Sequence, residues 1–127
     1  MIAADTSTWV AYLEGAPGDD TLLLDAALQN RQLVMVPVVL TELLSDPKLP
    51  STVADALVDV PLLPVQFGYW QRAGALRAKV LSSRRRARLG DSLIAQACLD
   101  AHIPLITRDR DFRAFAQSAH SSLALVP

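Results

Sequence analysis

Asp91-Ser92-Leu93-Ile94-Ala95-Gln96-Ala97-Cys98-Leu99-Asp100-Ala101, followed within three residues by Pro104-Leu105-Ile106, decides the fold. The first run is Ala-rich and reads as a helix. The second is a short apolar run and reads as a strand. A helix packed on the strand it feeds runs antiparallel to it, so the helix start and the strand end share one edge of the sheet. Working outward, the same alternation recurs. Ile2 to Ala4 reads as a strand leading to Asp5. Thr6 to Glu14 reads as a helix, with Thr6 or Ser7 as its cap and Gly15 as its stop. Gly18 to Asn30 reads as a second helix, with Leu22, Leu23, Ala26 and Ala27 on one face. Leu33 to Val36 is a β-prone run closed by Pro37. Val38 to Ser45 and Ser51 to Asp59 read as helices, and Leu62 to Val65 as a short strand between prolines. Phe67 to Leu81 is a longer helix with Tyr69, Ala73, Leu76 and Val80 on its apolar side. Asp109 to Gln117 reads as a helix, and Leu123 to Val126 as a last strand. Short apolar runs joined by helices require crossovers, hence a mostly parallel, buried sheet with helices on both faces.

The chain has 127 residues, 51% of them hydrophobic and 20% charged, and a formal charge of −1. That length suits a single domain spanning residues 1–127 with a core of its own. Such apolar content and small net charge exclude a disordered chain. The one cysteine, Cys98, cannot form an internal disulfide. No run of about 18 apolar residues occurs, and the N-terminus does not read as a secretory signal. A soluble cytoplasmic protein, with no membrane contact, is the expectation.

Net charge conceals an asymmetry. Residues 1 to 71 carry nine acids and two bases, Arg31 and Lys48; residues 72 to 127 carry four acids and ten bases. Arg72, Arg77 and Lys79 read as a solvated helix face. In Ser82-Ser83-Arg84-Arg85-Arg86-Ala87-Arg88, four guanidiniums in five positions repel one another unless something anionic lies near. Arginine suits phosphate because its fork can bind bidentately.

Ligands of open parallel sheets bind at the carboxyl ends of the strands. Asp5 and Asp109 lie just past two such ends. Glu42 falls in the first turns of the helix after Leu33 to Val36, and Asp91 opens the helix that feeds Pro104 to Ile106. Four carboxylates distant in sequence thus belong to one sheet edge. Singly, each has an ordinary reading: Asp5 and Asp91 as helix caps or first-turn acids, Asp109 as a partner of Arg113. Glu42 resists this, since its helical neighbours are Val38, Val39, Ser45 and Asp46, with no cation among them. In that apolar run it calls for a partner elsewhere, a metal ion or a distant arginine.

Two carboxylates about 4 Å apart repel by roughly 4 kcal/mol at an effective dielectric near 20. Four of them would take up protons or recruit a cation. An all-oxygen site suits Mg²⁺ or Mn²⁺ rather than zinc. His102 and His120 do not have zinc-ligand spacing and read as structural or surface residues, while Cys98 reads as helix packing. There is no Gly-x-Ser-x-Gly elbow and no phosphate-binding Gly-rich loop.

The set Asp5-Thr6-Ser7, Leu40-Thr41-Glu42-Leu43, Gly90-Asp91-Ser92-Leu93-Ile94-Ala95 and Leu105-Ile106-Thr107-Arg108-Asp109-Arg110-Asp111-Phe112, in this order and spacing, resembles a PIN domain. More narrowly it resembles the VapC toxins of type II toxin–antitoxin pairs. The resemblance covers essentially the whole chain. It implies a doubly wound three-layer α/β/α sandwich and an endoribonuclease dependent on Mg²⁺ or Mn²⁺. It also implies a homodimer, held inactive by a VapB-type antitoxin whose C-terminal segment lies across the toxin's groove. Asp5, Glu42, Asp91 and Asp109 match the family's acidic quartet, and Asp111 matches a further acid ranked below Asp109. Asp5 and Asp91 are expected to hold the main ion, with Glu42 and Asp109 beside it. Thr107 and Ser7 match hydroxyl residues that steady the site. Arg84, Arg85, Arg86 and Arg88 are placed to hold the RNA backbone at the rim, supplying affinity and salt dependence.

Two other classes compete. A receiver-type phospho-acceptor also has an acidic Mg²⁺ pocket but needs a lysine at a strand end, and Lys48 and Lys79 are not so placed. A non-catalytic PIN-fold module binding RNA or protein would use the same acids as helix caps; the complete quartet speaks against it.

Overall fold

The structure is a computed structural model and describes residues 1–118 and 122–127. His120 lies outside the described residues. Chain order is β1 (Ile2–Ala4), α1 (Thr6–Leu13), α2 (Asp19–Gln29), β2 (Leu33–Val34), α3 (Pro37–Leu44), α4 (Ser51–Val58), α5 (Tyr69–Ser82), α6 (Leu89–Ala101) and β3 (Leu105–Ile106). A 3₁₀ turn (Arg110–Phe112), α7 (Arg113–Ala116) and β4 (Leu125–Val126) follow.

The strands form one sheet in the order β2-β1-β3-β4, every pair parallel. Ala3 pairs with Val34 on one side and Leu105 on the other. The chain leaves β1 toward β2 through α1 and α2, then returns across β1 to β3 through α3 to α6. Right-handed crossovers in opposite directions put these two helix sets on opposite faces, giving an α/β/α sandwich. Strands covered on both faces are apolar throughout, and Ala3, Leu105 and Ile106 are fully buried. Phe112 and Phe115, also fully buried, pack beneath the segment that leaves β3. Each such side chain contributes about 2 kcal/mol by burial.

Local chemistry sets most boundaries. Pro37 occupies the first turn of α3, where a missing N–H costs nothing. Gly15, at φ +73°, ends the turn after α1 in a conformation that favours glycine. The cap of α1 is Asp5 rather than Thr6 or Ser7, because its Oδ1 accepts the Thr8 amide at 2.9 Å. Helix α6 starts at Leu89, two residues before the Asp91 start that the sequence suggests, so Gly90 lies inside its first turn.

Several sequence expectations fail for tertiary reasons. The buried face of α2 carries Asp20, Thr21, Leu24 and Ala27, whereas Leu22 is 69% exposed. Leu22, Leu23, Ala26 and Ala27 fit a helical spacing, but Asp20, itself buried and paired with the exposed Arg108, turns inward in their place. Leu62 forms a single parallel bridge to Met35 in place of a strand over Leu62 to Val65. Asp109 to Gln117 is a 3₁₀ turn and one short α-helix, and the last strand is confined to Leu125–Val126. Arg72 and Arg77 are braces rather than a merely solvated face. Arg72 forks onto Asp100 of α6 at 2.9 and 2.7 Å, and Arg77 Nε donates to the Ala87 carbonyl at 2.8 Å. The aromatics divide between core and surface: Trp9 and Tyr69 are buried, but Phe67 and Trp70 are exposed.

Candidate metal centre

Strands β1 and β3 are neighbours whose connections leave in opposite directions, so the crevice between their carboxyl ends is the topological switch point of the sheet. Asp5 follows β1 and Thr107 to Asp109 follow β3, one on each side. The Asp5 amide donates to the Ile106 carbonyl at 3.0 Å, which continues the ladder to the crevice floor. This adjacency turns a shared edge into a shared pocket.

Asp5 is 2% exposed and fully engaged. Its Oδ1 accepts the Thr8 amide. Its Oδ2 accepts the hydroxyls of Ser7 and Thr107, each at 2.7 Å. Thr107 Oγ1 in turn accepts the Asp109 amide at 2.9 Å, and Asp109 Oδ1 accepts the Asp111 amide at 2.9 Å. Asp109 therefore caps the 3₁₀ turn, a partner different from the Arg113 that helical spacing suggests. Thr107→Val removes a donor to Asp5 and an acceptor for Asp109 in one step. The expected loss of stability is about 1–3 kcal/mol, read from urea unfolding in the absence of metal.

Asp91, Asp109 and Asp111, all partly buried, each present a carboxylate oxygen within 4.8 Å of the other two. Burial is the main cause that pushes Asp91 up to about 6. Asp109, Asp5 and Asp111 add to the rise and Arg88 opposes it. Asp5 thus acts on Asp91 although it is not a member of the tight triad. Glu42 joins from α3 in a different way from the one its sequence context suggested. It is exposed, its Oε1 accepts the Thr6 hydroxyl at 2.9 Å, and it lies over Gly90, where an added Cβ would stand 3.7 Å from it. Val39 and Leu43 face inward while Glu42 faces out, so no burial penalty calls for its partner.

The arginine segment borders this cluster. Arg86 Nη1 stands 3.7 Å from Asp111 Oδ2, with the arginine well exposed and Asp111 partly so, and Arg85 donates to Gln117 Oε1 at 2.6 Å. An exposed contact at that length holds little, so Arg86 leans on Asp111 without closing the triad. Arg84 takes φ +63° at the turn.

Among the described residues the donor set is oxygen alone. Cys98 lies fully buried with its thiol pushed up to about 12, mainly by burial, and His102 caps α6 on the surface. A half-buried carboxylate pushed up to about 6 first by burial and then by its acidic neighbours fits a hard dication, which would offset both costs. Sequence reasoning missed Thr6 and Thr8 as donors to Glu42 and Asp5, and missed Asp20 and Arg108 below them. The Asp5-Thr6-Ser7-Thr8 run was the available signal, four consecutive polar side chains at a strand end.

A parallel α/β/α sandwich with carboxylates gathered at its switch point defines the class, an α/β domain built around an all-carboxylate crevice. The chain belongs to the PIN domain family, whose model matches residues 2–117. Solved structures with the same fold include VapBC2 from Rickettsia felis bound to a promoter DNA fragment, at TM-score 0.72 and 18% identity, covering 100% of both chains. DNA-bound VapBC from Salmonella typhimurium is similar at TM-score 0.75 and 14% identity, covering 98% of this chain and 96% of the other. VapBC-5 from Mycobacterium tuberculosis, described as a toxin–antitoxin member, is similar at TM-score 0.70 and 24% identity, covering 98% and 95%. No curated protein sequence is significantly similar. Among the described residues no helix is long and apolar enough to cross a membrane.

Proposed function

We propose that residues 1–127 form a single PIN domain acting as a divalent-metal-dependent endoribonuclease, the VapC-type toxin of a toxin–antitoxin pair. The observation that carries this reading is the grouping of Asp91, Asp109 and Asp111 within 4.8 Å beside Asp5 and Glu42 at the switch point. Asp91, Asp109 and Asp111 would hold the ion, Mg²⁺ or Mn²⁺, with Asp5 completing the negative field and Glu42 at its margin. The ion supplies charge neutralisation for the phosphodiester and activation of a water. The chain's own residues do the rest. Ser7, Thr8 and Thr107 fix the Asp5 carboxylate, and one of the rim acids orients the attacking water. Attack by water leaves the 2′-hydroxyl unused, so products carry a 5′-phosphate and a 3′-hydroxyl.

Arg86 stands beside Asp111 and Arg88 acts on Asp91, and with Arg84 and Arg85 of the same segment they would grip the RNA backbone by phosphate contacts. Neutralising any one of them is expected to lower the slope of log affinity against log salt by about 0.7 for single-stranded RNA, with sequence preference unchanged. Filter binding over a salt series measures it, and an unaltered slope removes that residue from the rim. The partners are a VapB-type antitoxin and a second copy of the chain. The fully exposed Phe67 and the exposed Trp70 support the latter, and sedimentation showing only monomer at micromolar concentration would remove it.

The nuclease reading is tested with purified protein, a generic RNA and Mn²⁺. Cleavage expected with Mn²⁺ and absent with chelator supports it. RNA binding without cleavage in any divalent metal would favour the non-catalytic module.

A further inference from the structure

Below the acidic crevice lies a second polar cluster that the proposed chemistry does not use. Asp20, the second residue of α2, is 4% exposed. Its Oδ2 accepts from Arg108 Nε at 2.7 Å and from the Thr8 hydroxyl at 3.0 Å, and its Oδ1 accepts from Arg108 Nη2 at 2.9 Å. The Arg108 guanidinium holds the Asp20 carboxyl below the usual carboxylate range. Arg108 Nη2 also reaches the Pro17 carbonyl at 3.2 Å. Gly18 packs against the pair so closely that a Cβ would stand 2.5 Å from Asp20 Oδ1 and 2.9 Å from Arg108 Nη2.

The attachments of the two partners matter more than the pair itself. Arg108 stands between Thr107, which donates to Asp5, and Asp109, a member of the acidic triad. Thr8 gives its amide to Asp5 and its hydroxyl to Asp20. The contacts close a ring: Asp5 to Thr8, Thr8 to Asp20, Asp20 to Arg108, along the backbone to Thr107, and from Thr107 back to Asp5. The ring joins α1, α2 and the segment after β3, and so ties both walls of the crevice together. An exposed ion pair would do little of this. A buried carboxylate gripped by a planar fork fixes orientation as well as distance.

We infer that Asp20 and Arg108 are positioning residues that set the placement of Asp5 and Asp109 across the crevice and, through them, the hold on the divalent ion. The inference rests on the metal-dependent reading above. Its test uses the full chain, with Arg108→Lys keeping the charge while losing the fork, and Gly18→Ala displacing the pair from the other side. Amide hydrogen exchange without metal, Mn²⁺ calorimetry and RNA cleavage kinetics are measured on each. In Arg108→Lys the Thr8 and Asp109 amides are expected to exchange at least about tenfold faster, while the Leu105 amide in the sheet stays within about twofold. Mn²⁺ affinity and kcat each fall by about 10- to 100-fold with KM for RNA nearly unchanged, the range for groups that orient metal ligands. Gly18→Ala is expected to repeat the pattern more weakly.

Unchanged exchange at Thr8 and Asp109 overturns the inference, as does a lower Tm with metal affinity and kcat intact, which would make the pair a brace of the fold only. Should the parent protein neither bind Mn²⁺ nor cleave RNA, the nuclease reading fails by itself. The exchange measurement then still decides the pair's hold on the crevice: faster exchange supports it and unchanged exchange overturns it.

Discussion

Asp91→Asn in the full chain is expected to lower metal-dependent RNA cleavage by about a thousandfold or more while its metal-free Tm holds or rises. Removing one charged ligand from a site that works by electrostatic stabilisation removes about 4 kcal/mol of it. The stability effect has the opposite sign. Burial, reinforced by Asp109, pushes Asp91 up to about 6, above its unfolded value. The folded state therefore favours the protonated acid, and ionisation destabilises it progressively as pH rises from about 4 to about 6. Above that window the penalty is constant, of order 1–2 kcal/mol after allowance for screening at a partly exposed rim. Asparagine never ionises, so the variant should lack this loss. Thermal melts in chelator between pH 4 and 8 should show parent and variant diverging as pH rises, the variant the more stable at pH 7.5. A markedly lower Tm for the variant would mean that Asp91 serves as a first-turn helix acid.

The second large effect concerns the ion itself. Mn²⁺ at about a hundred times its dissociation constant should stabilise the parent by about 2.7 kcal/mol at pH 7.5. For a domain of this size that corresponds to roughly 6–12 °C in Tm. The gain should shrink as pH falls through about 6, because Asp91 then takes up a proton that competes with the metal. Asp109→Asn should lose most of it, since Asp109 combines a place in the triad with the hydrogen bond that seats Asp111. Differential scanning calorimetry with and without Mn²⁺ measures the gain. A parent that melts identically in Mn²⁺ and in chelator at pH 7.5 would falsify the metal-centre reading.

Much of the site could be read from residue order. Asp5 after β1 and Asp109 after β3 follow from where apolar runs stop, and the placement of Asp91 follows from the direction of the helix that feeds β3. The sequence ranks Asp111 below Asp109, yet the two stand side by side in the triad. A 3₁₀ turn, tighter than an α-helix, brings the two carboxylates together, and no propensity announces that turn. Its apolar sequence context suggests a burial that Glu42 does not have, because periodicity does not tell which face of α3 meets the core. The inward face of α2 was misjudged because Asp20, polar and therefore expected outside, is the residue that turns in.

The chain alone determined that short apolar segments alternate with helices, so that strands had to run parallel and their carboxyl ends had to share an edge furnished with acids. That follows from local periodicity and from the rule that crossovers return to one side. Only the folded molecule decided that β1 lies beside β3, that Asp111 joins Asp91 and Asp109, and that Asp20 reaches Arg108 across 88 positions. Strand order and the partner of a buried charge depend on contacts between residues far apart in the chain, where desolvation and geometry outweigh any preference of the residue itself.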